Sequence, residues 1–242
     1  MVNTFFDESI IKRAQDKGTV DIEIINLRDF AVDDHGTVDD RPYGGGAGMV
    51  LRPEPIAAAI MKAKKGDTSK EISTLLTSPK GRTYTQKKAL GLAKKDHIII
   101  VCGHYEGFDE RVRHDVDEEV SIGDYVLTGG EIAAAAIVDS VVRLLPGVLK
   151  KEKATIEESF FEVPLKEIID VVGPTEVLLA LEDKHVEMVQ MLEYPHYTRP
   201  IEFEGKTVPE TLTHGNHEAI RKWRIKEAYN QTITKRPDLL KK

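Results

Sequence analysis

From Thr19 to His104, short apolar runs alternate with stretches whose apolar positions recur at helical spacing. That alternation is the signature of a parallel sheet with crossover helices. The runs predict strands at Val20 to Leu27, Ile72 to Thr77 and His97 to Gly103, with a helix from Gln86 to Lys95 between the last two. A shorter strand is expected at Glu118 to Ser121. Gly130 to Leu145, dense in Ala, Ile and Val, predicts a buried helix that Leu145-Pro146-Gly147 stops. Ahead of the first strand, Met1 to Gly18 is polar and helix-like. The fold class is α/β.

Beyond Pro146 the pattern changes. Gly147 to Thr155 is basic and polar, as in an interdomain linker. Pro164 to Val172 and Thr175 to Leu192 each carry helical spacing and flank Gly173-Pro174, which predicts a helical hairpin. After Pro195 to Pro200 an all-helical tail is expected, with Glu218 to Tyr229 its clearest helix. The chain therefore divides into a domain over 1–146, a linker with an inserted hairpin over 147–194 and a small all-helical domain over 195–242.

Composition narrows the class. With 242 residues, 40% hydrophobic and 31% charged, the chain is long enough for one large domain and a smaller partner, and it is globular. No apolar run approaches the roughly 20 residues of a membrane span, and no export signal is legible, so a cytoplasmic enzyme is expected. The single cysteine, Cys102, excludes an intrachain disulfide, and the eight histidines have no zinc spacing. The net charge of −7 argues at first against a polyanionic partner, but its distribution does not. His214 to Lys242 carries eight Lys/Arg against three acids, so the tail is +5 and residues 1–213 are −12. Phosphate contacts are local and screened beyond about 10 Å, so a basic tail can meet a nucleic acid.

Three loops carrying glycine or proline each follow an expected strand: Leu76 to Gly81, Cys102 to Gly107, and Ser121 to Gly130. Ligands of open α/β sheets bind at such strand ends, and glycine lets bare backbone amides approach a flat ring. The common nucleotide motifs are missing. No G-x-x-x-x-G-K-[ST] or G-x-G-x-x-G occurs, and no Lys-Ser/Thr follows the flexible stretch Asp39 to Gly48.

Longer motifs are specific. Val38-Asp39-Asp40-Arg41-Pro42-Tyr43-Gly44-Gly45-Gly46, Val101-Cys102-Gly103-His104-Tyr105-Glu106-Gly107-Phe108-Asp109-Glu110-Arg111-Val112, Ser121 to Glu131, Pro195-His196-Tyr197-Thr198-Arg199-Pro200 and Gly215-Asn216-His217 resemble, in order, those of the bacterial tRNA (guanine-N1)-methyltransferases, the TrmD family. The resemblance implies a SPOUT-type parallel sheet ending in a deep trefoil knot, a rare exception to unthreaded chains. It implies an obligate homodimer with shared active sites, tRNA as partner and S-adenosylmethionine as methyl donor, with Mg2+ also expected. By the same resemblance the donor is held by Leu76, Thr77, Ser78, Pro79, Gly103, Gly107, Ser121, Ile122, Gly123, Asp124, Tyr125, Val126, Leu127, Gly129 and Gly130. Tyr105 and Glu106 line that pocket and meet the target guanine. The target is guanosine 37, just 3′ of the anticodon.

The reaction needs an acid and a base at one spot. Guanine N1 carries a proton and is a poor nucleophile until a carboxylate removes it. Negative charge then spreads to O6, where a guanidinium stabilises it. The family's arginine, three residues before Pro-Gly, corresponds to Arg143. Its base, the aspartate of Asp-Ser-Phe, falls where this chain reads Glu158-Ser159-Phe160, so a glutamate with one more methylene stands in its place. Glu157 and Asp170 are the next candidates. Two further departures stand out. Glu158 and Pro195 are separated by 37 positions where the family has about ten, which leaves room for the hairpin, either as surface ornament or as lid. Family members also open with an apolar strand ending in Leu-Phe-Pro; this chain starts at Met1-Val2-Asn3-Thr4-Phe5-Phe6, so that strand is expected to be absent and a sheet edge weakened. Arg199, Arg221, Lys222 and Arg224 are candidates for tRNA phosphates, and Trp223 for the core. Ribose 2′-O-methylation and RNA binding without turnover remain as rivals.

Overall fold

The computed structural model describes residues 2–65, 68, 71–150 and 158–241, which fall into two compact units, Met1–Lys150 and Lys151–Lys242. In the first unit, helices α1 (Asn3–Phe6) and α2 (Ser9–Asp16) precede a short antiparallel ladder of β1 (Asp39–Asp40) and β2 (Val50–Leu51). Helix α3 (Pro53–Lys64) follows, then β3 (Ile72–Thr83), α4 (Gln86–Leu92), β4 (His97–Cys102), β5 (Glu118–Ser121) and α5 (Glu131–Val142).

The last three strands form one parallel sheet in the order β4-β3-β5. Strand β3 is central and its residues Leu75 and Leu76 are fully buried, one on each face. Leu76 and Val101 pack with Ile56 and Ile60 of α3; Leu75 and Val120 pack with Leu92 of α4 and with Ile137 and Val141 of α5. Helices on both faces explain why these strands read as apolar runs and not as alternation. Thr85 starts α4 by accepting a hydrogen bond from the Lys88 N–H.

Two expectations for this unit are corrected. Val20 to Leu27 forms no strand: residues 20–26 have no regular structure and a 3-10 turn follows at Leu27–Phe30. The apolar alternation is there, but a strand exists only with a hydrogen-bonded neighbour, and none is supplied. Among the described residues nothing pairs with the edge of β4 remote from β3, and a cavity of about 1020 Å³ lies between β4, α5 and residues 19–28. Second, β3 does not stop at Thr77. Its register against β5 breaks after Thr77 and resumes at Arg82↔Val120, so Ser78 to Gly81 is an excursion within a longer strand. A Cβ on Gly81 would lie 2.4 Å from the Val120 amide nitrogen, which is why a glycine closes the excursion.

The second unit contains β6 (Phe161–Pro164), α6 (Leu165–Val172), α7 (Glu176–Asp183), β7 (Met188–Met191), β8 (Glu202–Phe203), β9 (Lys206–Thr207) and α8 (His217–Lys235). The unit is not all-helical, contrary to expectation for its tail and for the second arm of the hairpin. Strands β8 and β9 form a small antiparallel ladder, and the stretch after Asp183 is strand β7, antiparallel to β6. The helical spacing of Thr175 to Leu192 breaks at Lys184-His185, where His185 takes φ +57°; beyond it Val189 and Met191 are buried at alternate positions, as in a strand.

Residues 161–191 and α8 share one core, in which Ile168, Leu178, Val189 and Met191 pack with Ile225, Ala228 and Tyr229. Two hydroxyls reinforce it. Thr175 Oγ1 caps α7 and lies 2.9 Å from the Tyr229 hydroxyl, while Thr232 Oγ1 accepts from the Leu192 N–H at 2.9 Å. The expected linker, Gly147 to Thr155, lies largely outside the described residues, as does Glu157.

Candidate active site

Parallel register sets the position of the three loops. Thr77 pairs with Cys102 on one side and Val120 on the other, so the Ser78–Gly81 excursion from β3 and the loops after β4 and β5 leave the sheet at one level. The chain reaches β4 on one side of β3 and β5 on the other, the switch point at which ligands of such sheets bind.

Main-chain and hydroxyl bonds lock the loops to one another. Thr77 Oγ1 donates to the Val101 carbonyl at 3.1 Å and accepts from the Gly103 N–H at 3.4 Å. The Gly130 N–H donates to the Gly103 carbonyl at 2.8 Å, and His104 and Gly129 form an antiparallel bridge. Gly130 is buried, and a Cβ there would lie 2.1 Å from Thr77 Oγ1 and 2.9 Å from the Cys102 Cα, so only a hydrogen side chain lets the third loop approach the first two this closely. Ser121 Oγ closes the turn to Gly123, with its N–H at 3.2 Å. Residues 49–51 back the second loop: Glu106 N–H donates to the Met49 carbonyl and Leu51 N–H to the Gly107 carbonyl.

All the residues expected to hold the donor thus lie in one unit on three adjoining loops. Tyr105, in the left-handed region at φ +57°, is exposed, as are Glu106, Tyr125 and Val126. Glycine backbone that a ligand can approach closely, beside exposed aromatic and aliphatic side chains, suits a ligand with a flat ring and an apolar edge. Burial, and then the Glu131 carboxylate, push the Cys102 thiol up to about 12, which makes it a poor nucleophile near neutral pH. Sequence reasoning assigned no role to the hydrogen bond between His104 and Glu131, 2.5 Å apart across two of the loops. Its only signal is that each residue follows a loop glycine.

The expected catalytic pair is divided between the units. Arg143 is the C-cap of α5, half-buried, where a cation is favoured by the helix dipole. Glu158 is half-buried and begins a fixed turn in the second unit. Its carbonyl accepts from the Phe161 N–H at 3.0 Å, the Phe160 N–H donates to the Met191 carbonyl at 2.7 Å, and Ser159 Oγ accepts from the Glu193 N–H at 3.3 Å. Asp170 is exposed on α6.

The matched chain is unambiguous in its relatives. A family model described as tRNA (Guanine-1)-methyltransferase TrmD matches residues 1–242. The chain belongs to the TrmD family. A tRNA (guanine-N(1)-)-methyltransferase of Dictyoglomus turgidum is 51% identical over 237 residues, covering 98% of this chain and 84% of the relative. Those of Geobacillus kaustophilus (48%, 99% and 87%) and Clostridium botulinum (47%, 98% and 87%) are similar over the same extent.

Of the TrmD-family features expected, two meet restrictions. Among the described residues no group of three or more His, Cys, Asp or Glu side chains is placed to hold a metal ion. Of the phosphate candidates, Arg221 is paired with Glu167 and Lys222 with Glu218, while the Arg224 guanidinium lies 4.7 Å from the Tyr194 ring centroid. Arg199 is exposed. Trp223 is half-buried between Tyr194 and Tyr197. No helix among the described residues is long and apolar enough to cross a membrane.

Proposed function

We propose that this chain transfers a methyl group from S-adenosylmethionine to N1 of a guanine in tRNA, at nucleotide 37, as a cytoplasmic homodimer with shared sites. One observation carries the reading: the Leu76–Gly81, Cys102–Gly107 and Ser121–Gly130 loops are hydrogen-bonded to one another through the Thr77 hydroxyl and the main chain of Gly103 and Gly130, and the second and third of them lie in segments where the chain follows the TrmD pattern. The close passage of Gly130 beside Thr77 and Cys102 supports a threaded, knotted path of the SPOUT type. The first unit is read as the donor-binding domain and the second as the tRNA-binding domain.

When bound, the donor supplies an electrophilic methyl on a positively charged sulfur. Gly103, Gly107 and Gly129 let its adenine approach the main chain closely, and Ile122 to Leu127 cover its apolar edge. Tyr105 and Glu106 meet the guanine, which must be splayed from its loop to be reached. Glu158 takes the proton from guanine N1, so the lone pair left there can form the new N–C bond as the donor's S–CH3 bond breaks and its electron pair returns to sulfur, leaving S-adenosylhomocysteine. Arg143 directs its guanidinium to O6, where the negative charge appears. The fixed turn around Ser159 and Phe160 supports Glu158 in this role, since a base must be held within hydrogen-bond reach.

Nucleoside mass spectrometry of tRNA incubated with the protein and S-adenosylmethionine tests the proposal. It predicts 1-methylguanosine. A ribose-methylated nucleoside would replace it with 2′-O-methylation, and no product would leave an RNA-binding module.

A further inference from the structure

The hydrogen bond between His104 and Glu131 joins the second loop to the residue that follows the third, and nothing in the methyl-transfer chemistry uses it. His104 Nε2 and Glu131 Oε1 are 2.5 Å apart. The two side chains keep 42% and 30% of their exposure, so the link sits at the surface of the cradle and not in the core. It is seated tightly: a Cβ on Gly129 would lie 2.5 Å from Glu131 Oε2 and 2.7 Å from His104 Cε1, so the pair closes directly over the Gly129 backbone. Beneath it run the His104–Gly129 bridge and the Gly130 N–H bond to the Gly103 carbonyl.

Each end of the link is anchored elsewhere. Glu131 opens the 12-residue helix α5, where a carboxylate is favoured by the helix dipole, and α5 is packed on β3 through Ile137 and Val141. His104 adjoins Tyr105, whose ring lies 5.7 Å from the imidazole and whose backbone is held at φ +57°. Fixing His104 therefore fixes the turn that presents Tyr105 and Glu106, and a non-glycine residue in this conformation persists only where its surroundings hold it.

We propose that His104 and Glu131 are positioning residues: a clasp that holds the Cys102–Gly107 and Ser121–Gly130 loops at the spacing the methyl donor requires. The proposal rests on the donor site argued above. Neither residue touches the reacting atoms. The clasp acts through Tyr105 on one side and through Gly129 and Gly130 on the other.

Calorimetric titration of the full chain with S-adenosylhomocysteine tests it, alongside thermal melting of each protein. His104→Ala and Glu131→Gln should each weaken binding about tenfold, and the double variant should lose no more than either alone, because both remove one interaction. His104→Arg, which keeps a donor for the Glu131 carboxylate, should bind within about twofold of the unmodified chain. Unchanged affinity in His104→Ala and Glu131→Gln, with binding by the parent chain intact, would overturn the clasp and leave the donor site standing. Losses that add in the double variant would also overturn it, as would failure of His104→Arg to restore affinity in a protein that melts normally. Failure of the parent chain itself to bind would remove the donor-site reading, and the clasp with it.

Discussion

The two units solve different problems with different parts of the chain. In the first, the site is built mainly from backbone: the loops leave at a common level because three parallel strands share one register, and they are joined by amide-to-carbonyl bonds, one threonine hydroxyl, close approaches at glycine and the His104–Glu131 link. In the second, backbone mainly fixes where side chains stand, with Glu158 on a pinned turn and a core assembled from β6, α6, α7, β7 and α8. The difference teaches which changes should matter where. The donor cradle should be sensitive to added atoms and indifferent to most charges, whereas the second unit should be sensitive to the loss of particular side chains.

The harshest way to break the comparison is to remove Val163 to Gln190. That stretch supplies Val163, Leu165, Ile168, Leu178, Leu181 and Val189 to the second unit's core, so its deletion should abolish that unit's cooperative unfolding and all tRNA methylation while S-adenosylhomocysteine binding survives. A trimmed but folded second unit, seen by circular dichroism and calorimetry, would contradict the shared core. Next in size is Glu158→Gln, which should lower single-turnover methylation by roughly 10²–10⁴ without changing donor affinity. An unchanged rate would transfer the base elsewhere, with Asp170 the candidate among the described residues.

Gly130→Ala probes the opposite sensitivity. Its methyl would meet Thr77 Oγ1 and the Cys102 backbone, and relief of that overlap should cost about 1–3 kcal/mol in denaturant unfolding, with donor affinity falling as the loops part. The smallest effect belongs to a charge at the edge of the first unit. The Arg111 guanidinium, and then the Arg111 N–H, hold the Asp109 carboxyl down to about 2. Because the folded value lies below the unfolded one, the pair stabilises the protein above about pH 4, and that contribution fades as pH falls towards 2. The arginine is well exposed, so Asp109→Asn should cost less than about 1 kcal/mol at pH 7 and nothing near pH 2, as read from urea midpoints at each pH.

The sequence was most legible where local signals and tertiary partners agree. β5 at Glu118–Ser121 and α5 at Glu131–Val142 lie where periodicity put them, because each has a neighbour to pack against. Val20 to Leu27 had the same kind of signal and no ladder partner, and a pattern of side chains cannot report the missing partner. β7 was hidden in a helical pattern because four residues are too few to separate a period of 2 from one of 3.6, and only pairing with β6 decides it. At the site, the loops were readable from glycines and from family resemblance. The His104–Glu131 link was not, since residues 27 apart in sequence face one another only once the sheet has brought the second and third loops together.

Amide hydrogen exchange on adding S-adenosylhomocysteine tests the central claim most directly, since the claim is that a main-chain cradle in the first unit holds the donor. Protection should rise in the peptides spanning 76–81, 102–107 and 121–130 together, and little elsewhere. Protection confined to other segments, or to one of these three alone, would contradict the account.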